Sequence, residues 1–395
     1  MQTLPNPIKS ENSARRIPQL DGVRGVAISL VLIWHYVASK IDSPSVFFAD
    51  YIAPILNLTN SGVDLFLVLS GFLIGGILID NRTAPRYFAA FYARRICRIF
   101  PLYFIWLFIF VILTEGGLTA LFALPLQELF VNPLPLWSYA TFTQNITMAL
   151  RGDMGPHWLG VTWSLAVEEQ FYLTLPFMIR FLSLRKLPYV LVTVIVAAPL
   201  LRVLMFFIPP YSLFPIYVLM PSRMDALLLG VLVAYVVRQD GAVQYLTNHI
   251  AWLYGIFVLL GVGMLGVSII PRASSWFFLY SLGFSQIALL YTCFLLLALV
   301  EQRGPIASFT RNRFLRNLGL VAYGVYLFHQ AINGLVHGLV LNQSPQFKTE
   351  LDFFVTLIAL SITILLALAS WNLFEKKMVT LGHAVHYGKA QALVN

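Results

Sequence analysis

Long apolar runs alternate with short polar, arginine-bearing joints along nearly the whole chain. Ten stretches are apolar for long enough to span a bilayer, which takes about 20 residues each. They lie near 22–39, 62–79, 99–114, 162–181, 187–208, 215–237, 250–270, 276–300, 318–340 and 352–374. The third is short and draws on its flanks. Each is predicted to be a helix, because a backbone facing lipid has no water to bond and must satisfy itself internally. The pattern therefore predicts an all-α, polytopic integral membrane protein of about ten transmembrane helices. The longest stretch between spans, 115–161, holds Pro125, Pro133, Pro135 and Pro156 among Trp137, Tyr139, Phe142, His157 and Trp158. It is too apolar to be disordered and is expected to fold.

Composition agrees with the pattern. Of 395 residues, 59% are apolar and 11% charged, where soluble domains carry about 25% charge. That excludes a soluble globular enzyme, a disordered chain and a fibrous repeat. The net charge of +9 suggests nucleic acid at first sight, but its distribution explains it otherwise. With a cytoplasmic N-terminus, 20 of the 26 Lys and Arg fall on the inner side. The outer side keeps only Lys40, Arg151, Arg272 and Lys348, and Arg202 and Arg223 lie within spans. This is a strong positive-inside signal and places both termini in the cytoplasm. No nucleic-acid partner is expected. Residues 1–20 are polar and the first apolar run is long enough to stay in the membrane, so no cleaved signal peptide is expected. Cys97 and Cys293 are not expected to pair, and no metal-ligand spacing occurs.

Ionisable residues inside spans are costly, and so are the first candidates for function. His35 lies in the first span, eleven residues after Arg24. That is about 16 Å along a helix, which puts Arg24 near the inner face and His35 in the outer half. Histidine exchanges a proton near neutral pH; a hydrogen bond to a neighbouring helix is the equally weighted structural role. Asp64 opens the second span, where a carboxylate most simply caps the helix. It joins the catalytic candidates only if an Arg or His from another helix meets it. Ser70-Gly71 and Gly75-Gly76 let a helix or a long ligand approach the backbone.

Arg94, Arg95 and Arg98 share a helix face by spacing. They suit a multiply charged phosphate, although on composition alone anchoring to acidic lipid is the simpler explanation. Glu168 and Glu169 begin the fourth span; as neighbours on a helix they point differently and are expected to have different partners. Arg223 and Asp225, two apart, are expected to pair across helices, for structure. His329 in the ninth span is a second proton-carrier candidate, with packing the simpler role, and Glu375 is expected at the interface.

Four ordered blocks carry a family likeness. They are Leu20-Asp21-Gly22-Val23-Arg24-Gly25 with His35 following, Gly62 to Ile74, Phe91 to Pro101 with its three arginines, and Trp163-Ser164-Leu165-Ala166-Val167-Glu168-Glu169-Gln170-Phe171-Tyr172. In order and spacing the chain resembles the acyltransferase 3 family of bacterial membrane O-acyltransferases, with a weaker match over Tyr323 to His329. The resemblance implies a transmembrane acyltransferase domain over 1–380 and a cytoplasmic tail over 381–395. It implies a multi-pass protein of the bacterial inner membrane, in contact with membrane lipid. The implied donor is acyl-CoA, most often acetyl-CoA, taken from the cytoplasm, and the implied acceptor is a hydroxyl on a cell-surface or lipid-linked glycan.

Residue by residue, the family's catalytic base falls on His35. Its donor-binding arginines fall on Arg24, Arg95 and Arg98, with Arg94 beside them. Glu168, Glu169 and Asp64 are carried as further catalytic candidates, and Trp158, Trp163 and Tyr172 as candidates for holding the sugar. The chemistry agrees, since acyl transfer needs a base for the hydroxyl proton and positive charge for the CoA phosphates. No metal is implied. Phe374-Glu375-Lys376-Lys377 departs from the family, where Pro often follows the Glu. The extra extracellular domain of some members is expected to be absent, because the chain ends soon after the tenth span. The competing expectations are a proton-coupled transporter of acyl groups or lipid-linked glycan, a non-catalytic scaffold, and an acyltransferase acting on a secreted small molecule such as a macrolide.

Overall fold

The computed structural model describes residues 17–41, 55–117, 124–208, 213–269 and 276–388. Lys9, Arg15, Arg16, Arg272 and Lys389 lie outside the described residues, as does the end of the expected tail, 389–395. Among the described residues all regular structure is helical. The principal helices are α1 (Pro18–Tyr36), α2 (Gly62–Asp80), α3 (Tyr87–Glu115), α4 (Trp163–Phe181), α5 (Leu187–Phe206) and α6 (Met224–Val236). They continue as α7 (Ile250–Ile269), α8 (Phe284–Val300), α9 (Arg313–Leu320), α10 (Ala322–Leu341), α11 (Glu350–Ser370) and α12 (Lys376–His383).

Among the described residues seven helical segments are long and apolar enough to cross a membrane, which makes this a multi-pass membrane protein. They hold α1, α2, α3, α5, α7, α8 and α11. The other three predicted stretches are helical but carry more polarity or a break. α4 contains Glu168, Glu169 and Arg180, and α10 contains His329, Gln330, Asn333 and His337. The stretch 215–237 is broken into a short helix, Phe214–Val218, an extended Leu219, a turn at Met220–Arg223, and α6. Pro221 supplies no N–H at the break.

The helices sort by what surrounds them. The segment holding α2 has 78% of its most apolar window buried, while that of α7 has 11%. α2 is therefore central, and α5, α7 and α11 are peripheral, with Leu204, Leu259 and Leu365 turned outward. An apolar exterior around a polar-bearing interior is the arrangement lipid selects. α3 has 29 residues, or about 43 Å at 1.5 Å per residue. That exceeds a hydrocarbon core of about 30 Å, so the helix starts well before the predicted span and its first turns carry Arg94, Arg95 and Arg98.

Segment 115–161 is folded where described. Trp158 stacks on Trp106 at 4.6 Å and on Phe130 at 5.3 Å. The Tyr103 hydroxyl donates to the Tyr139 carbonyl at 2.9 Å.

α2 and α6 cross at very close range. A Cβ built on Gly71 would lie 1.8 Å from the Leu227 carbonyl oxygen, and one on Gly230 would lie 2.0 Å from that of Val68. The obstacles are backbone atoms, so no rotamer change makes room. Small residues at such crossings let membrane helices approach closely. Gly230→Val is expected to cost more than the roughly 1–3 kcal/mol of ordinary overpacking and to remove most monodisperse protein in detergent, as read by fluorescence-detected size exclusion. Leu204→Val, on the outward face of α5, is expected to leave the profile unchanged. Equal profiles for the two variants would contradict the close crossing.

Candidate active site

A cavity of about 210 Å³ lies between α1, α2, α3, α4 and α10. Its wall on α2 runs from Val63 to Ile77, about 21 Å of helix. Towards the C-terminal end of α2 it is lined by Arg24, Arg95 and Arg98. Towards the other end are Ser164 and Tyr326, with Ser70, Glu168 and Tyr172 between. Apolar side chains such as Phe66, Leu67, Leu73 and Ile74 fill the remaining wall.

The polar groups are held by one another. The Ser70 Oγ and the Tyr172 hydroxyl are 2.5 Å apart, and Tyr172 donates to Glu168 Oε2 at 3.0 Å. Tyr326 donates to the Val161 carbonyl at 3.0 Å and lies 2.6 Å from Ser164 Oγ. Tyr323 donates to the Ile99 carbonyl at 2.8 Å and ties α10 to α3. Arg24 bonds Asp21 at 2.8 Å one turn back on α1. Arg98 lies over the Trp371 ring at 5.3 Å. Among the described residues no carboxylate is in ion-pair contact with Arg95 or Arg98. Three guanidinium groups against the Glu168 carboxylate leave the cavity lining net positive, which suits an anion.

The other predicted residues fall in different places. Arg94 is not on the cavity: its guanidinium lies over the Tyr387 ring at 4.6 Å and donates to the Val385 carbonyl at 3.3 Å. Arg94 and Arg95 differ by about 100° around a helix axis, which is enough to separate them. Of the adjacent carboxylates, Glu168 lines the cavity, while Glu169 keeps a buried oxygen without a hydrogen-bond partner among the described residues. Trp163 is buried against Tyr217 at 4.8 Å, and Trp158 is buried in its aromatic stack; neither lines the cavity, whereas Tyr172 does. Glu375 is buried within a π-helical turn, Trp371–Glu375, and bonded by Ser370 at 2.8 Å, not exposed at an interface.

His35 sits in the last turn of α1, half-buried, with Nδ1 at 3.0 Å from the Val31 carbonyl. It contacts the His329 ring, 4.7 Å between centroids. The Tyr326 ring, which lines the cavity, is 5.6 Å from His329. One layer of α10 side chains thus separates His35 from the cavity.

Asp64 meets Arg223 from another helix, which is the condition set for a catalytic candidate, but its position sets it apart from the other candidates. It is buried and paired with Arg223 at 2.5 Å, and it does not line the cavity. The neighbouring pair is Arg202 with Asp225 at 2.9 Å. Arg223 and Asp225 therefore pair across helices, as their spacing predicts.

Charge and cost singled out most candidates in the sequence; Ser70 was noted only for close backbone approach and Tyr323 only beside His329, and Ser164 and Tyr326 were passed over. A Ser or Tyr is cheap to bury when bonded. The signal that could have found the tyrosines is the i, i+3, i+6 stripe of Tyr323, Tyr326 and His329 on one helix. Gln170 and Asn145 were also missed; they bond each other at 2.8 Å and fasten α4 to segment 115–161. Asn145, which opens an N-x-[ST] sequence, is fully buried.

The acyltransferase 3 family model, described as an Acyltransferase domain, matches residues 17–371. The chain belongs to this family. The O-acetyltransferase OatA of Staphylococcus aureus strain NCTC 8325 is 26% identical over 382 residues, covering 92% of this chain and 57% of that protein. A putative O-acetyltransferase of S. aureus strain COL is 26% identical over 380 residues, covering 91% of this chain and 57% of its own length. The chain thus spans 57% of the length of these curated relatives. No solved structure matches it.

The Asp64–Arg223 pair yields a test. Asp64→Leu strands a buried guanidinium and is expected to cost about 3–5 kcal/mol, seen as a lower thermal midpoint in detergent. Asp64→Leu/Arg223→Met, which removes both charges, is expected to recover most of that stability and any activity lost with it. A stable but inactive double variant would instead return Asp64 to the catalytic candidates.

Proposed function

We propose that this protein is a membrane-bound O-acyltransferase. It moves an acyl group, most simply acetyl, from cytoplasmic acyl-CoA to a hydroxyl of a cell-surface or lipid-linked glycan. The observation that carries this reading is the cavity, with Arg24, Arg95 and Arg98 at one end and a hydroxyl-lined end one side-chain layer from His35. Family membership and O-acetyltransferase relatives support the reaction class.

In this reading the chain crosses the bacterial inner membrane ten times, with both termini in the cytoplasm. The arginine end of the cavity then opens toward the cytoplasm, as the distribution of Lys and Arg supports. The donor's phosphates are the anion for Arg24, Arg95 and Arg98, since planar guanidinium groups bind phosphate oxygens in pairs. The apolar wall along α2 accommodates an extended, largely uncharged arm between the phosphates and the thioester. His35 takes the acceptor's proton as its oxygen attacks the acyl carbon. A neutral imidazole whose Nδ1–H is held by the Val31 carbonyl leaves Nε2 free as the base. Glu168, held by Tyr172, faces the cavity as a hydrogen-bond acceptor and lowers its net positive charge.

The test uses purified protein and radiolabelled acetyl-CoA, with and without a surface-glycan extract, following binding and free CoA. Arg95→Ala/Arg98→Ala is expected to weaken acetyl-CoA binding by at least about tenfold, the loss of two charge-assisted contacts. His35→Ala is expected to bind normally and release CoA about 10²–10⁴-fold more slowly. Wild-type protein that neither binds acetyl-CoA nor releases CoA would sink the donor assignment. Activity that depends on a proton gradient without CoA release would favour transport.

A further inference from the structure

His329 is fully buried on α10, and the mechanism above does not use it. Its Nδ1 lies 2.6 Å from the Tyr326 carbonyl. A carbonyl oxygen only accepts, so the neutral ring carries its proton on Nδ1 and presents a bare Nε2. That Nε2 is buried and has no hydrogen-bond partner among the described residues. A buried acceptor left unpaired is destabilising, and a native structure that keeps one has a reason to do so. The residue is also firmly held. The Tyr36 hydroxyl donates to the His329 carbonyl at 3.0 Å and lies 2.8 Å from Thr363 Oγ1 of α11.

The titratable ring packed against His329 is that of His35, although the two are not hydrogen-bonded in this state. The two rings meet edge to face, with centroids 4.7 Å apart and planes inclined by 69°. His35 has the same tautomer for the same reason, its Nδ1 lying 3.0 Å from the Val31 carbonyl. Two neutral imidazoles in contact, each with a bare Nε2, can hold one added proton between them.

We propose that His329 is a positioning residue for His35, and that the pair acts as one base. The inference rests on the reading of His35 as the base. In the transfer step the acceptor oxygen–acyl carbon bond forms and the acyl carbon–sulfur bond breaks. The hydroxyl proton moves to His35 Nε2, is shared with His329 Nε2, and ends on the sulfur of the released CoA thiol. The Val31 carbonyl takes the place a carboxylate has at Nδ1 of a catalytic histidine, and His329 adds a second acceptor beside the ring without a buried negative charge. Its bond to the Tyr326 carbonyl couples the pair to the residue that lines the cavity.

The experiment compares His329→Leu and His329→Gln with wild type and with His35→Ala, all as full chain in lipid nanodiscs. Acetyl-CoA-dependent CoA release is one readout. The second needs no activity: the pH midpoint of His35 carbethoxylation by diethyl pyrocarbonate, read by peptide mass spectrometry. Around His35 the titratable or charged groups are Tyr36 and Lys40 in its own chain segment and Tyr326 and His329 on α10; α11 presents the uncharged Thr363. None but His329 changes among the single variants.

His329→Leu is expected to lower kcat by at least about tenfold while the KM for acetyl-CoA stays within about twofold. His329→Gln, which offers an acceptor oxygen, is expected to recover a substantial part of the rate. His35→Ala/His329→Leu is expected to be no slower than His35→Ala, as for residues acting as a unit. The His35 midpoint is expected to fall in His329→Leu, whose side chain cannot share the proton, and to return in His329→Gln. If His329→Leu fails to fold, His329→Met takes its place. A folded variant with unchanged kcat and midpoint, or rate losses that simply add, would overturn the pairing. Wild type that releases no CoA would overturn the donor assignment alone, because the midpoint shift still decides whether the histidines are coupled.

Discussion

Two arginines buried in the membrane interior hold this fold in register. Arg202 on α5 and Arg223 at the break before α6 have no solvent to satisfy them, so other helices must. Arg202 donates to Asp225 at 2.9 Å and to Ser285 at 2.5 Å. It also donates to the Ser222 carbonyl at 2.5 Å and to the Ser281 carbonyl at 2.8 Å. Those carbonyls belong to two places where regular helix fails, the turn at Met220–Arg223 and the π-helical turn at Leu279–Gly283. One guanidinium thus answers backbone groups that lipid would leave unpaired. Arg223 pairs with Asp64 and lies 3.9 Å from the centre of the Phe284 ring. The network balances two positive against two negative charges and joins α2, α5, α6 and α8. Replacing such pairs by apolar residues is often neutral for stability, whereas breaking one is not. Their effect is to specify which helices meet. Fixing α2 matters most, because α2 forms the long wall of the cavity.

That wall explains how one site can serve two ends of a reaction. α2 supplies Ser70 midway along the cavity, α4 supplies Glu168 and Tyr172, and α10 supplies Tyr323, Tyr326 and His329 along one face. Successive positions three apart on α10 rise by about 4.5 Å. The helix therefore reaches from Tyr323, beside the arginine end, through Tyr326 at the hydroxyl end, to His329 against His35. Contacts along this path are hydrogen bonds and ring contacts between fixed helices, so the geometry does not depend on a loop.

Much of this was legible in the sequence, for a physical reason. Lipid permits few backbone solutions, so apolar length alone located the helices, and the cost of buried charge made Arg223, Asp225, Glu168 and His35 conspicuous. The same reasoning failed where orientation within one helix decides the outcome. Arg94 and Arg95 are neighbours, yet one meets Tyr387 and the other the cavity. It failed again where aromatic residues have two uses: Trp158 and Trp163 were candidates for a sugar face and proved to be interior packing. The break at Pro221 was passed over, although Ser222, Arg223 and Asp225 adjoin it, because the apolar runs on either side, 214–220 and 226–237, read together as one span. Ser164 and Tyr326 were hidden because a hydroxyl that finds a partner is inexpensive to bury.

The arginines themselves separate structure from function more sharply than any motif does. Arg202 and Arg223 are buried with carboxylates in contact, which is the state a permanent membrane charge must reach. Arg95 and Arg98 line open volume, and among the described residues no carboxylate reaches ion-pair distance of either. Arg94, also without an ion pair there, spends its guanidinium on a ring face and a carbonyl. A cation kept at a cavity without a partner raises the affinity of that cavity for an anion, and the affinity grows as surrounding water is displaced. The chain thus pairs the charges it uses to assemble, and of the three arginines on the cavity it leaves Arg95 and Arg98 without an ion-pair contact among the described residues, with Glu168 on the same wall. That asymmetry gives the cavity a net positive lining, which suits an anion, independently of which family the sequence belongs to.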